Sequence, residues 1–388
     1  MQTRKRDQVF KLLGLCALCS ALSAQALERV PAYVPDSDSV VLERAAVSSP
    51  QLRELKTARA RSEATPEDTG AAITYARLAI ELGRQQADPR FYGNAEAALS
   101  PWDGVAQAPL EIAWLRAVLH QQRHDFDGAR AELDALLRRE PDYPPALLTR
   151  AVINLVQGRP RDAQRDCAAL IGLAGVRVIG SCAAAAASEL GRADNALSTL
   201  QDLNDRPTDG VPFDQRSWSL TLAAEINARM EHHDAAQKAF DRARAAIAAA
   251  GDHDPYFQVA EADFLLDRQR PAIVVERLRN ETRNNNALLR LALAESQLPD
   301  ADSQAAAKQH IEMLGERFAA TRTRGEATHR REEARYLLEL RHEPAAALKL
   351  AIANWSVQRE PLDARIFLEC AVAAKDPAAA QPVRDWMT

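Results

Sequence analysis

His120 and His124 lie four residues apart, a spacing that sets two imidazoles on one face of a helix, as a pair of metal ligands requires. His232-His233-Asp234 places two imidazoles and a carboxylate in one run. Adjacent residues at a helix end point apart, however, so this run reads as a polar turn between two helices. His120 and His124 read as a packed side chain followed by a turn residue. Arg322, Arg324, Arg330, Arg331 and Arg335 form a basic run with Glu326, Glu332 and Glu333 interspersed, the pattern of a solvated helix face laced with ion pairs. There is no glycine-rich phosphate loop after a strand and no nucleophile elbow. The residues therefore predict no catalytic group, no metal site and no cofactor, and a binding protein rather than an enzyme.

The elements that would carry such a protein recur with a fixed period. Gly158-Arg159 precedes Ala163, Gly191-Arg192 precedes Ala196, and His124 holds the same slot before Ala129. Ala117, Ala151 and Ala184 lie twelve residues before those three alanines. A period of 33–34 residues implies stacked helix pairs rather than one globular core. The aromatic content of 5% and the abundance of alanine suit closely packed helices, where a β-rich fold would need more β-branched and aromatic residues.

Helix pairs are predicted at Leu110–Gln122 with Gly128–Arg139, Ala146–Gln157 with Arg161–Leu173, and Val178–Leu190 with Asp194–Leu203. A break at 204–212 follows, then Trp218–Met230 with Ala235–Ala250. Further pairs begin near Tyr256, Ala287 and Thr328, and 364–386 reads as a degraded terminal unit. An earlier helix carries Ile73, Ala76, Leu78, Ile80 and Leu82 on one face.

The N-terminus reads as an export signal. Arg4, Lys5, Arg6 and Lys11 precede an apolar run over Leu12–Leu22, and Ala24-Gln25-Ala26 is a small-residue cleavage site. The run is too short to span a bilayer, which takes roughly 20 apolar residues, and no later stretch is long enough. Cys16 and Cys19 lack the small preceding residue of a lipid-anchor signal. The predicted organisation is a signal peptide over 1–26, an extended or partly ordered lead-in over 27–67 with one short helix near 50–61, and a repeat domain over 68–388. Removing 1–26 takes away four basic residues and Asp7, so the formal charge moves from −5 to −8. That balance argues against nucleic-acid binding. The chain is expected in the periplasm rather than secreted further.

The pattern resembles tetratricopeptide repeats, whose units carry a small residue in the first helix, a turn glycine, then Ala, an aromatic or Leu, and Ala, with a closing Pro. Ala117, Ala129, Leu133, Leu136 and Pro141 fit one unit, and Ala224, Ala236, Phe240 and Ala243 another. The likeness is strongest over 110–203 and weakens beyond 255, where Arg268–Arg270 replaces the turn glycine. It implies an all-α, right-handed solenoid of stacked antiparallel helix pairs with a concave groove walled by the first helices. Threading the pattern puts Trp114, Val118, Gln121, Leu148, Val152, Leu155, Ser181, Ala185 and Glu189 on that wall. Trp218, Thr221, Glu225, Arg229, Phe257, Glu261 and Phe264 follow.

Such a wall, alternately apolar and acidic, suits a protein or peptide partner with aliphatic and basic side chains. In the same threading Cys167 faces the next unit and Cys182 lies on that unit's first helix, which implies a disulfide between them. Cys370 is expected to be buried and free. The alternative function is a periplasmic binding module for a small ligand or metal ion. Exported chains of this kind resemble proteins that accompany small metal-permease-like membrane proteins, hence a link to a metal transporter.

Overall fold

The computed structural model describes residues 50–387 apart from 87, 106 and 325–327. The expected signal peptide and residues 27–49 of the lead-in lie outside the described residues. Among those described there is no strand, and no helix is long and apolar enough to cross a membrane.

Helix α1 (Pro50–Ala64) leads into a series of antiparallel pairs. These are α2 (Thr69–Gln86) with α3 (Arg90–Leu99), α4 (Leu110–Gln122) with α5 (Phe126–Arg139), and α6 (Pro144–Val156) with α7 (Pro160–Ala169). Then come α8 (Val176–Glu189) with α9 (Ala193–Asn204), α10 (Phe213–Arg229) with α11 (His233–Ala250), and α12 (Pro255–Asp267) with α13 (Pro271–Leu278). The series ends with α14 (Asn285–Ser296) and α15 (Ala301–Thr323), α16 (Arg330–Arg335) and α17 (Pro344–Trp355), and α18 (Pro361–Ala373) and the short α19 (Gln381–Trp386). A turn of π-helix over Tyr336–Leu340 extends α16.

The repeated alanines are the points where helices touch. Ala117, Ala129, Ala151, Ala163, Ala224 and Ala236 are fully buried, because a side chain of one carbon lets neighbouring backbones approach. Leu133, Leu200 and Phe240 fill the space between the contacts. Many of the helices open on a proline at their first turn, including Pro144, Pro160, Pro255, Pro271, Pro344 and Pro361. There the missing N–H costs nothing.

One backbone device joins the two helices of most units. The turn residue takes a left-handed conformation at His124, Gly158, Gly191, Glu231, Gln269, His342 and Lys375, with φ between 54° and 74°. The next N–H donates back to the first helix: Arg159 to the Asn154 carbonyl at 2.7 Å, Arg192 to Ala187 at 2.9 Å, and Arg270 to Leu265 at 2.9 Å. This six-to-one closure satisfies carbonyls that the helix end leaves open.

Cys167 on α7 and Cys182 on α8 are joined by a disulfide, with their Cα atoms 5.6 Å apart. Cys370 is free and buried, and burial pushes its thiol up to about 12.

The chain also closes on itself. The Arg359 N–H, in the link between α17 and α18, donates to the Val156 carbonyl at the end of α6, at 2.7 Å. Val357 packs on the core around α5 to α8. A Cβ added at Gly158 would lie 3.0 Å from the Arg359 Cβ and 3.0 Å from Trp386 Nε1, whereas one at Gly191 would meet nothing. Gly191→Ala is therefore expected to cost only the left-handed strain, about 1–2 kcal/mol. Gly158→Ala is expected to cost more and to raise the hydrogen-exchange rate at Arg359. Urea titration with amide exchange on both variants checks this, and equal losses would show that the closure is not tight.

Candidate partner-binding interior

The first helices of successive units pack side by side, α4 on α6, α6 on α8, α8 on α10, α10 on α12 and α12 on α14. The slot six residues before the left-handed turn residues from His124 to Gln269 holds Val118, Val152, Ala185, Glu225 and Asp263. All five are half-buried. Trp114, Leu148 and Trp218 are half-buried too and anchor the joints between units. The Trp114 Nε1–H donates to Thr149 Oγ1 at 2.9 Å. The guanidinium of Arg77 sits 5.7 Å from the centre of its ring. Gln121, Leu155 and Glu189 are half-buried and Arg229 is exposed, while Ser181 and Thr221 are fully buried between helices.

Besides Ser181 and Thr221, three more residues expected on this wall are buried. Phe257 and Phe264 are 4% and 7% exposed and pack on Phe240, with ring centres 6.2 Å and 5.2 Å apart. Glu261 is 4% exposed and paired inward with Arg244 and with Arg277 Nη1, the latter at 2.8 Å. The cause is a register error of one residue on α12. Gln269, not a glycine, is the left-handed residue of that turn. Counting back from it brings Tyr256 and Asp263 into the slots that Trp218 and Glu225 fill on α10.

Tyr256 is 55% exposed and its hydroxyl donates to Glu225 Oε2 at 2.5 Å. Burial raises the Glu225 carboxyl above its ordinary value, with the Tyr256 hydrogen bond opposing. On α8, burial and the nearness of Glu360 push Glu189 up to about 8. Glu360, at the start of α18, is pushed up to about 7 by burial, with Arg331 opposing. Arg229 opposes the shifts at Glu189 and Glu225, and Arg331 pairs with Glu360 at 3.0 Å.

Arg322 and Arg324 of the basic run are exposed, as expected, but its later part is interior, contrary to the solvated face expected. Arg335 is 6% exposed and Glu332 and Glu333 are 5% exposed. Arg331 reaches Glu332 at 3.0 Å and Glu360 at 3.0 Å. Although burial opposes it, Arg331 and Arg290 hold Glu332 down at about 2. Asp263 joins three first helices: Arg290 of α14 at 2.7 Å and Arg335 of α16 at 2.5 Å. These residues were missed because their sequence carries a charge pattern that solvated helices share.

The histidines do not converge. His120 Nδ1 lies 2.7 Å from Asp125 Oδ2, and Asp125 also caps α5 by accepting from the Gly128 N–H at 2.9 Å. His124 stacks on Phe126 with ring centres 5.3 Å apart, and burial pushes it down to about 4. His232 is exposed at the start of α11 and His233 is half-buried. Among the described residues no group of three His, Cys, Asp or Glu side chains is placed to hold a metal ion.

No protein-family model matches this chain, and no curated protein sequence does. Among solved structures it is similar to the APC/C hetero-tetramer Cut9–Hcn1, with a TM-score of 0.52 at 14% identity over 87% of this chain and 63% of that one. It is also similar to a tetratricopeptide repeat protein from Parabacteroides merdae, with a TM-score of 0.42 at 14% identity over 67% of this chain and 92% of that one. Yeast Tom70 gives a TM-score of 0.39 at 13% identity over 86% of this chain and 62% of that one. At such identities the likeness to the Cut9–Hcn1 structure is one of fold. The chain is an all-α solenoid of the tetratricopeptide-repeat type.

Proposed function

We propose that this protein is a non-enzymatic periplasmic scaffold that binds a protein or peptide segment along its interior wall. The partner segment carries lysine or arginine. The observation that supports this most is the exposed Tyr256 beside Glu225, with Glu189 and Glu360 facing the same space. Carboxyls whose ionisation is held back by burial and by one another gain most from an incoming cation. An exposed aromatic with a polar tip gives such a segment an anchor at small entropic cost. The half-buried Val118, Val152 and Leu148 continue the wall for aliphatic side chains. The location rests on the N-terminal basic and apolar segment with its Ala24-Gln25-Ala26 site.

A photo-crosslinking residue at position 256 in the full chain tests the partner site, with one at the exposed Ile171 as the outer control. Capture at 256 of one protein through a Lys/Arg-bearing segment, lost in Glu189→Lys/Glu225→Lys, is the expected result. Capture only at 171 would refute the interior as the site. N-terminal sequencing of the native protein tests export: a start at Leu27 is expected, and retention of Met1 in the cytosolic fraction would overturn the location.

A further inference from the structure

We propose that the joint between α8–α9 and α10–α11 is a binding site for a small organic dianion, a phosphomonoester or a dicarboxylate. This site is separate from the interior wall and does not rest on the partner reading. The link between α9 and α10 is long, 205–212, and leaves a cavity of about 330 Å³. The guanidiniums of Arg177, Arg216 and Arg242 line it with Asn204 and Thr208, and Leu220 and the alanines of α11 close the other side.

The charge there is unbalanced. Three arginines of the described chain are buried: Arg177, Arg290 and Arg335. The last two each face the Asp263 carboxylate. Arg177, 6% exposed, faces no carboxylate. Its Nη1 donates to Asn204 Oδ1 at 3.0 Å and Ser219 Oγ at 3.2 Å, both neutral, and its buried Nε has no partner. The buried Nε of Arg216 has none either.

Arg242 reaches Asp205 only at 3.4 Å, between two exposed side chains, and its Nη2 donates to the Asn204 carbonyl at 2.5 Å. Burial lowers the Arg177 pKa, and Arg216, Arg206 and Arg242 lower it further, as a positive field should. Another cavity, about 580 Å³, differs in having its Arg150 paired. There Arg150 sits between Asp134 at 2.7 Å and Asp166 at 2.6 Å.

A guanidinium taken out of water without a counter-charge is costly. Its planar fork suits the paired oxygens of phosphate or carboxylate. Three arginines at the cavity against the single carboxylate of Asp205 leave two positive charges for a ligand to balance. The volume lies at the small end of ligand pockets, and the alanine side has room for a short carbon body beyond the anionic head.

Calorimetric titration of the full chain with glycerol 3-phosphate, succinate and inorganic phosphate, in buffer free of polyvalent anions, tests the site. Saturable binding of one organic dianion is expected, with a rise in Tm, since a ligand of the folded state alone stabilises it. Arg216→Gln is expected to weaken binding by about tenfold or more, the loss of one charged hydrogen-bond partner. Arg177→Gln is expected to abolish it, and Arg138→Gln, which borders the other cavity, to leave it unchanged. Glycerol 3-phosphate alone binding identifies the phosphomonoester, and succinate alone the dicarboxylate. Inorganic phosphate binding as tightly as either would overturn the organic ligand. No saturation by about 10 mM, or binding that survives Arg216→Gln, would overturn the site. Should Arg177→Gln fail to fold, Arg216→Gln decides.

Discussion

Asp263→Ala is expected to destabilise the folded chain by about 3–5 kcal/mol, the cost of removing one partner from a buried ionic group. Arg290 is 1% exposed and Arg335 6%, so neither guanidinium can turn to water when the carboxylate is lost. Asp263 accepts from Arg290 at 3.0 Å and 2.7 Å and from Arg335 at 2.5 Å. It holds α12, α14 and α16 in register through one side chain. The loss should concentrate in those helices, because a solenoid unit is stabilised by its neighbours. Amide exchange should then rise there before it rises in α4 to α8.

The comparison that isolates the ionic group is Asp263→Ala in an Arg290→Met/Arg335→Met background, where most of the loss should disappear. A urea titration in which Asp263→Ala costs under about 1 kcal/mol, the value of an exposed pair, would contradict this account.

The same group has a pH signature. Burial by itself would raise the Asp263 carboxyl, but Arg290 and Arg335 hold it well below the usual range. The unfolded chain protonates such a group near 3.9. The stabilisation is therefore complete above about pH 4 and is lost as pH falls towards the depressed folded value. The gap between wild type and Asp263→Ala should shrink below about pH 4 and stay constant above it.

Reduction of the Cys167–Cys182 bridge is expected to lower stability by about 3 kcal/mol, from the loop entropy of a span of this length. The sequence separation is 15. Both cysteines are buried, so the bridge adds a covalent tie between two units whose contact otherwise includes the hydrogen bond of Arg192 to Gln164. Urea titration of the same chain with and without reductant measures the effect. Alkylation of the unfolded chain without reductant should label Cys370 alone among these three cysteines. Labelling of all three would show that no bridge forms. A bridge that does form suits the oxidising compartment proposed above.

What was legible in the sequence was local. The Gly158 and Gly191 turns, the proline-led helices and the buried alanines follow from backbone sterics and contact distance within about 35 residues, the length of one repeat. The half-buried positions of Trp114, Val118, Leu148, Val152, Trp218 and Glu225 follow from counting along those units. The count failed on α12 because a glutamine, Gln269, fills the left-handed slot there. No residue type announces that conformation when neighbouring contacts impose it.

The sequence by itself determined the class of fold, because helix period and turn chemistry are set by neighbours along the chain. Only the tertiary structure decided which charges meet. Arg331 and Arg335 read as solvated until Glu360 and Asp263 come to them. Arg177, Arg216 and Arg242 come from three different helices and meet only where the joint at 205–212 brings them to one cavity. The contact between Val156 and Arg359 joins segments that no local pattern relates. It depends on how the angle between successive helix pairs accumulates over many units, and a change of one side chain at each joint alters that sum.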